Sequence, residues 1–150
     1  MTGEPARVVQ VLRSVYNAMI AHVLQTPTFE SCGLLSGSGD TVTRLFQANN
    51  IAENRATRYE AEPLDVRRIL EAIDDAGEEH LGIYHSHPNS PAYPSATDRR
   101  LAAYDVRYVV ISLKDRQRPD VRAFQICKAH PSDEDAIVRE EPIEIVDRPA

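Results

Sequence analysis

Two histidines and an aspartate carry the clearest chemical signal in the chain. His85-Ser86-His87 is followed by Pro88-Asn89-Ser90-Pro91-Ala92-Tyr93-Pro94-Ser95-Ala96-Thr97-Asp98. Residues i and i+2 of a strand point to one face, so His85 and His87 at a strand end aim two imidazoles at one point. Three prolines among Pro88 to Pro94 require a loop. That loop returns the chain so that Asp98, in the first turn of a following helix, adds a carboxylate. Two imidazoles and one carboxylate, with a fourth position open to water, form the ligand set of a catalytic zinc site. Structural sites usually close that position with cysteine, and none lies nearby. One Zn2+ is therefore expected, because this donor set suits zinc best among the divalent ions. Bound zinc lowers the pKa of water toward about 7. Each residue also has a structural reading. The histidines are then ordinary loop-edge residues, and Ser95-x-x-Asp98 is a helix capping box. For Ser95, capping and chemistry are compatible.

The elements that position these residues follow from periodicity and punctuation. Leu12, Val15, Met19 and Val23 recur at spacings of three and four within the apolar stretch Val8 to Leu24. This is the stripe of an amphipathic helix over about Arg13 to Gln25, ended by Thr26-Pro27. Cys32 to Gly37 reads as a buried strand, Ser38-Gly39-Asp40 as a hairpin turn, and Thr41 to Ala48 as the returning strand. Asn49 to Arg58 is polar and reads as loop, and Tyr59 to Glu62 as a short strand. Pro63 opens a second helix, which turns Leu64, Ile69, Leu70 and Ile73 inward and stops at Gly77. Leu81 to His85 is a central strand, and Ser95 caps a short helix to about Ala103. Tyr108 to Leu113 is a buried strand, with Val121 to Cys127 returning beside it across a turn, and Ile143 to Val146 adds a last edge. Hairpins mixed with helices favour an α+β or mixed α/β fold with a largely antiparallel sheet.

Composition bounds the remaining possibilities. The 150 residues, 42% apolar and 27% charged, suit one domain spanning 1–150 with a substantial core. A net charge of −6 with scattered basic residues lacks the cationic footprint of a nucleic-acid binder. Arg13, Asn17 and His22 interrupt the first apolar stretch, so neither a signal peptide nor a membrane span is expected, and a cytoplasmic location is. Cys32 and Cys127 read as two buried strand thiols, without a disulfide. His22, His80 and His130 read as surface histidines, and Tyr84 and Tyr93 as groove-lining or packing residues.

His85, His87, Pro88, Ser95 and Asp98 together resemble the JAMM (MPN-plus) metalloprotease motif, His-x-His-Pro, six residues, Ser, two residues, Asp. Glu30-Ser31-Cys32-Gly33-Leu34-Leu35-Ser36-Gly37 is similar to the glutamate-plus-strand element that precedes it in that family. The resemblance runs from the first helix to Tyr108–Leu113 and weakens after about Pro131. It implies a cytidine-deaminase-like fold, with a largely antiparallel sheet flanked by helices. It also implies roles. Glu30 is the general base, shuttling a proton from water to the leaving amine, and Ser95 donates a hydrogen bond to the oxyanion. A glutamate before a strand is otherwise a solvated surface residue. Asn49, Arg55, Thr57, Tyr59, the Ile83-Tyr84-His85-Ser86-His87 run and the Ala92-Tyr93-Pro94-Ser95 run look most like the bacterial Mec/QbsD branch. That branch implies a substrate class: small ubiquitin-like sulfur carriers with a Gly-Gly tail, cut at an amide near the C-terminus. Only nine residues separate Asp98 from Tyr108, too few for the insertion that eukaryotic members use to grip a second ubiquitin. Two other readings remain open. Some MPN proteins are non-catalytic scaffolds that have lost the ligands, and RadC-type DNA-associated proteins share the His-x-His-Pro segment. Filled ligand positions disfavour the first, and the acidic balance disfavours the second.

Overall fold

The computed structural model describes residues 7–130 and 135–149. Residues 1–6, 131–134 and 150, which the expected 1–150 domain includes, lie outside the described residues. The element order is β1 (Val9–Leu12), α1 (Arg13–Gln25), β2 (Cys32–Ser38), β3 (Thr41–Ala48), α2 (Pro63–Asp75), β4 (Glu79–His87), α3 (Ala96–Leu101), β5 (Arg107–Ser112), β6 (Asp120–Cys127), β7 (Ile137–Glu141) and β8 (Ile143–Val146). The described strands form one sheet in the order β7-β6-β5-β4-β2-β3-β1-β8. The fold is mixed α/β, a sheet flanked by helices. Antiparallel ladders join β2 to β3 and β4, and β6 to β5 and β7. Parallel ladders join β4 to β5, and β1 to both β3 and β8.

One face of the sheet carries α1. Its Val15, Met19 and Val23 pack with Val9, Val11, Leu35, Val42, Tyr84 and Ile111 in a buried apolar cluster. The other face carries α2 and the α3 end, where Ile69, Ile73 and Ala102 meet Cys32, Leu34, Ile83 and Tyr108. Alternation along β4 sends Ile83 to one cluster and Tyr84 to the other. Gly33 on β2 makes room for Tyr84, because a Cβ there would collide with the tyrosine ring and with the Phe46 carbonyl. The turn at Gly39 and the end of α2 at Gly77 both use positive φ, 62° and 69°, which glycine adopts without strain.

β7 and β8 lie at opposite ends of the strand order, yet Pro142 alone separates them in sequence. The sheet therefore bends round until its two edges meet at that residue. Val9 N–H donates to the Pro142 carbonyl at 2.9 Å across this seam. Beside it, buried Glu141 accepts from Arg107 Nε at 2.8 Å, and Arg107 Nη2 reaches Asp40 at 3.3 Å.

Several expectations need correction. Leu12, counted in the helical stripe, belongs instead to a strand, in which Val9 and Val11 alternate into the core while pairing with β3 and β8. Tyr59–Glu62 makes no strand, only the single bridge Asn50–Ala61. Leu64 is 56% exposed, since it sits on the outer side of the first turn of α2. Cys127 is exposed at the end of β6, whereas Cys32 is buried, and both are free thiols. His22 is partly buried, with Nδ1 2.6 Å from the Tyr84 hydroxyl. β7 had no sequence signal: Ile137-Val138-Arg139-Glu140-Glu141 is mostly exposed and takes its form by pairing with β6.

Candidate active site

β4 is clamped between β2 and β5, which fixes its C-terminal end. His85 pairs in register with Cys32 on one side and Val110 on the other, and His87 pairs with Ser112. Their side chains share a face, with the two Nε2 atoms 3.1 Å apart. Both histidines are buried, at 1% and 3% exposure. The loop beyond β4 folds back, and His87 Nδ1 lies 2.8 Å from the Pro91 carbonyl. That contact requires Nδ1–H as donor and leaves Nε2 of neutral His87 as a lone pair. Ser112 Oγ donates to the Ser90 carbonyl at 2.7 Å and pins the same loop to β5.

Ser95 N-caps α3 in a capping box. Its Oγ accepts the Asp98 N–H at 3.1 Å, and its own N–H donates to Asp98 Oδ2 at 2.9 Å. The box sets the carboxylate angle, and the same Oδ2 lies 3.0 Å from His85 Nε2 and 3.1 Å from His87 Nε2. Because Oγ only accepts within the box, its O–H proton remains available to a ligand.

Glu30 reaches the cluster from the entry to β2. Ser31 ties this point to β4: Ser86 N–H donates to the Ser31 carbonyl at 3.0 Å, and Ser31 N–H donates to Ser86 Oγ at 2.9 Å. One oxygen of Glu30 and the ligand atoms of His85, His87 and Asp98 all lie within 4.8 Å of one another. The five residues singled out in the sequence, Glu30, His85, His87, Ser95 and Asp98, are thus brought to one place. Sequence reading had no role for Ser86, which points to the opposite face from its histidine neighbours, nor for the Pro91 carbonyl. Tyr59, noted only as part of the resemblance, stacks on His85 with ring centroids 4.5 Å apart and planes at 26°.

Burial dominates the titration of Glu30 and pushes its carboxyl up to about 8, with His87 and Asp98 opposing each other as smaller influences. Burial also works to raise Asp98. The pull of His85 and hydrogen bonds from His85, His87 and the Ser95 amide outweigh it and hold that carboxyl well below the usual range. For His87 burial works downward, but hydrogen bonds with Asp98 and Pro91 prevail and raise it.

The donor set fits a tetrahedral dication. Atoms held by one zinc at its usual bond lengths lie about 3.3 Å apart, close to the observed triangle of Nε2, Nε2 and Oδ2. Without a cation, three acceptor-capable atoms face one another with too few protons to satisfy them. Oε1 of Glu30 is also buried, with no hydrogen-bonding partner among the described residues.

The chain matches the family model described as prokaryotic homologs of the JAB domain over residues 12–127. The chain belongs to this family. This JAB-domain protein is 35% identical over 144 residues to CysO-cysteine peptidase of Mycobacterium tuberculosis, covering 93% of each chain. It is 36% identical over 122 residues to a probable TtuB-protein conjugate cleaving protease of Thermus thermophilus, covering 81% of this chain and 78% of that one. The solution structure of a protein from Desulfitobacterium hafniense matches with a TM-score of 0.80 and 31% identity, covering 95% of this chain and 94% of that one. The protein is accordingly a hydrolase of the JAMM type.

A groove of about 750 Å3 opens from the JAB-domain site. Leu34, Tyr59, Val66, Leu70, Ile83, Asp98 and Leu101 are among the residues that line it. Among the described residues, no helix is long and apolar enough to cross a membrane.

Proposed function

We propose that the protein is a zinc metallopeptidase that hydrolyses an amide bond at the C-terminus of a small ubiquitin-like sulfur-carrier protein. The observation that carries this reading is the triangle of His85 Nε2, His87 Nε2 and Asp98 Oδ2, 3.0–3.1 Å on each side, with Glu30 beside it. His85, His87 and Asp98 hold the metal. Zinc bound there supplies a Lewis acid and brings the pKa of water toward about 7.

The chain's own residues do the rest. Glu30 takes a proton from the attacking water and returns it to the leaving amine nitrogen. One of its carboxylate oxygens already lies within 4.8 Å of the His85, His87 and Asp98 ligand atoms. Ser95 keeps its capping bond and donates its hydroxyl proton to the oxyanion. His87 is held in one tautomer by the Pro91 carbonyl, and Asp98 is held by the capping box.

An extended tail suits the adjoining groove, whose largely apolar lining accepts a thin chain and excludes water around the amide. A Gly-Gly end, with no side chains to accommodate, passes most easily beside Tyr59 and Asp98. The relatives' names support the substrate class, since one is a CysO-cysteine peptidase and the other a probable TtuB-protein conjugate cleaving protease. Both free thiols suit the reducing cytoplasm.

The test is mass spectrometry of ubiquitin-like carriers ending in Gly-Gly plus one cysteine or a short peptide. Zinc-loaded protein is expected to remove the extension and leave Gly-Gly, and a chelated control to leave the carrier intact. Intact carriers after incubation with zinc-loaded protein would refute the reading.

A further inference from the structure

Glu30 has a buried carboxylate but no secondary structure of its own, since β2 begins at Cys32. Both of its backbone polar groups end on one segment, residues 50–60. Glu30 N–H donates to the Arg55 carbonyl at 2.7 Å, and the Glu30 carbonyl accepts from Asn50 Nδ2 at 2.8 Å. Asn50 also holds this segment together. Its Nδ2 donates to the Arg58 carbonyl at 3.1 Å, and its Oδ1 accepts from Ala52 N–H at 2.9 Å and Glu60 N–H at 3.0 Å. A primary amide has two donors and two acceptor lone pairs; here all four are used, three on the segment and one on Glu30.

We infer that Asn50 is a positioning residue for the hydrolytic reaction, acting through Glu30, which it fixes directly and through the Arg55 carbonyl. This rests on the reading of Glu30 as general base. Removing a carboxylate from water costs free energy, so an unrestrained Glu30 would swing toward solvent and away from His87 and Asp98. Covalent attachment to Ser31, itself bonded to Ser86, anchors only one side. The segment anchors the other, and the Arg55 guanidinium lies over the Phe29 ring at 4.7 Å, closing the contact beside it. The same segment contains Tyr59, which braces the face of His85. Bracing matters at His85 because its Nδ1 is buried with no hydrogen-bonding partner among the described residues, whereas metal-binding histidines are usually oriented by a bond at that atom. One fold of the chain thereby holds both the base and a ligand.

The discriminating substitution is Asn50→Asp, which keeps both acceptor bonds and deletes both donor bonds. Three measurements on the zinc-loaded full chain decide the matter. Hydrogen exchange at the Glu30 amide should accelerate about tenfold or more, with β4 and β5 amides unchanged. The kcat for carrier cleavage should fall about tenfold or more, with KM and zinc content within about twofold of wild type. In a Glu30→Gln background, Asn50→Asp should cause no further loss, because the pair acts as one unit. Unchanged exchange at the Glu30 amide would overturn the proposal. So would an equal fold-loss with and without the Glu30 carboxylate, which is the mark of a general structural role. If wild type itself cleaves no carrier, the functional reading fails, and the exchange measurement still decides whether Asn50 restrains Glu30.

Discussion

Tyr84 and His85 are adjacent on β4 and face opposite worlds. Tyr84 is fully buried on the α1 side among aliphatic residues, and its hydroxyl reaches His22. His85 is equally buried on the other side, but against His87, Asp98 and a carboxyl of raised pKa, Glu30. The difference is not one of exposure. On the α1 side polar atoms are few and paired. On the α2–α3 side Glu30 Oε1 and His85 Nδ1 lack partners, and acceptor atoms crowd within 3.1 Å. Unsatisfied buried polar groups destabilise a fold, so one face of the sheet stabilises and the other stores the strain that a ligand relieves.

The sharpest way to break this comparison is to remove ligands. His87→Ala and Asp98→Ala should each abolish stoichiometric zinc binding and lower kcat/KM by about 10^4-fold or more. Metal analysis and carrier cleavage measure both. If the two faces are separable, far-ultraviolet circular dichroism of these variants should match wild type.

Glu30→Gln should keep zinc and lower kcat by about 10^2 to 10^4-fold. It should also reveal the stored strain. A carboxyl raised from 4.5 to about 8 by folding contributes fully to stability below its unfolded value. That contribution is lost as pH rises through 8. Metal-free Glu30→Gln should therefore be more stable than metal-free wild type at pH 9, by about 2 kcal/mol, and little different at pH 4. Urea titrations at the two pH values measure this. Equal stability at pH 9 would mean that the glutamate is not strained.

The opposite face should give the opposite result. Met19→Ala, at a position 1% exposed, should cost about 2–4 kcal/mol of stability by cavity formation. Its kcat/KM per folded molecule should stay within about twofold of wild type. A large loss of activity without unfolding would show that the faces are coupled.

The faces also differ in how the pH acts on metal affinity. Hydrogen bonds with Asp98 and Pro91 raise His87 above its ordinary value against the effect of burial, so protons compete with zinc at mildly acidic pH. Zinc affinity should fall about tenfold per pH unit below that pKa, measured by competition with a chelator of known affinity. A flat profile between pH 7 and pH 5 would contradict the assignment of His87 as a ligand.

The sequence by itself determined the local elements and the list of residues with chemical potential. Periodicity places α1, glycine and proline punctuate the turns and helix starts, and His85, His87, Ser95 and Asp98 lie within 14 residues, close enough for strand and helix geometry to bring them together. It did not determine partners that come from distant segments. Glu30 is 55 residues before His85, and only its family-like Cys32-Gly33 context sets it apart from a solvated glutamate; the β2–β4 ladder and the Ser31–Ser86 bonds bury it beside the histidines. β7 has no pattern of its own and exists because β6 offers it an edge. The Val9–Leu12 strand carries no strand signal of its own until β3 and β8 flank it. Asn50 looks like any loop asparagine until four backbone groups converge on its amide. In each case the deciding interactions are hydrogen bonds and burial between residues far apart in sequence, which only the folded chain brings within reach.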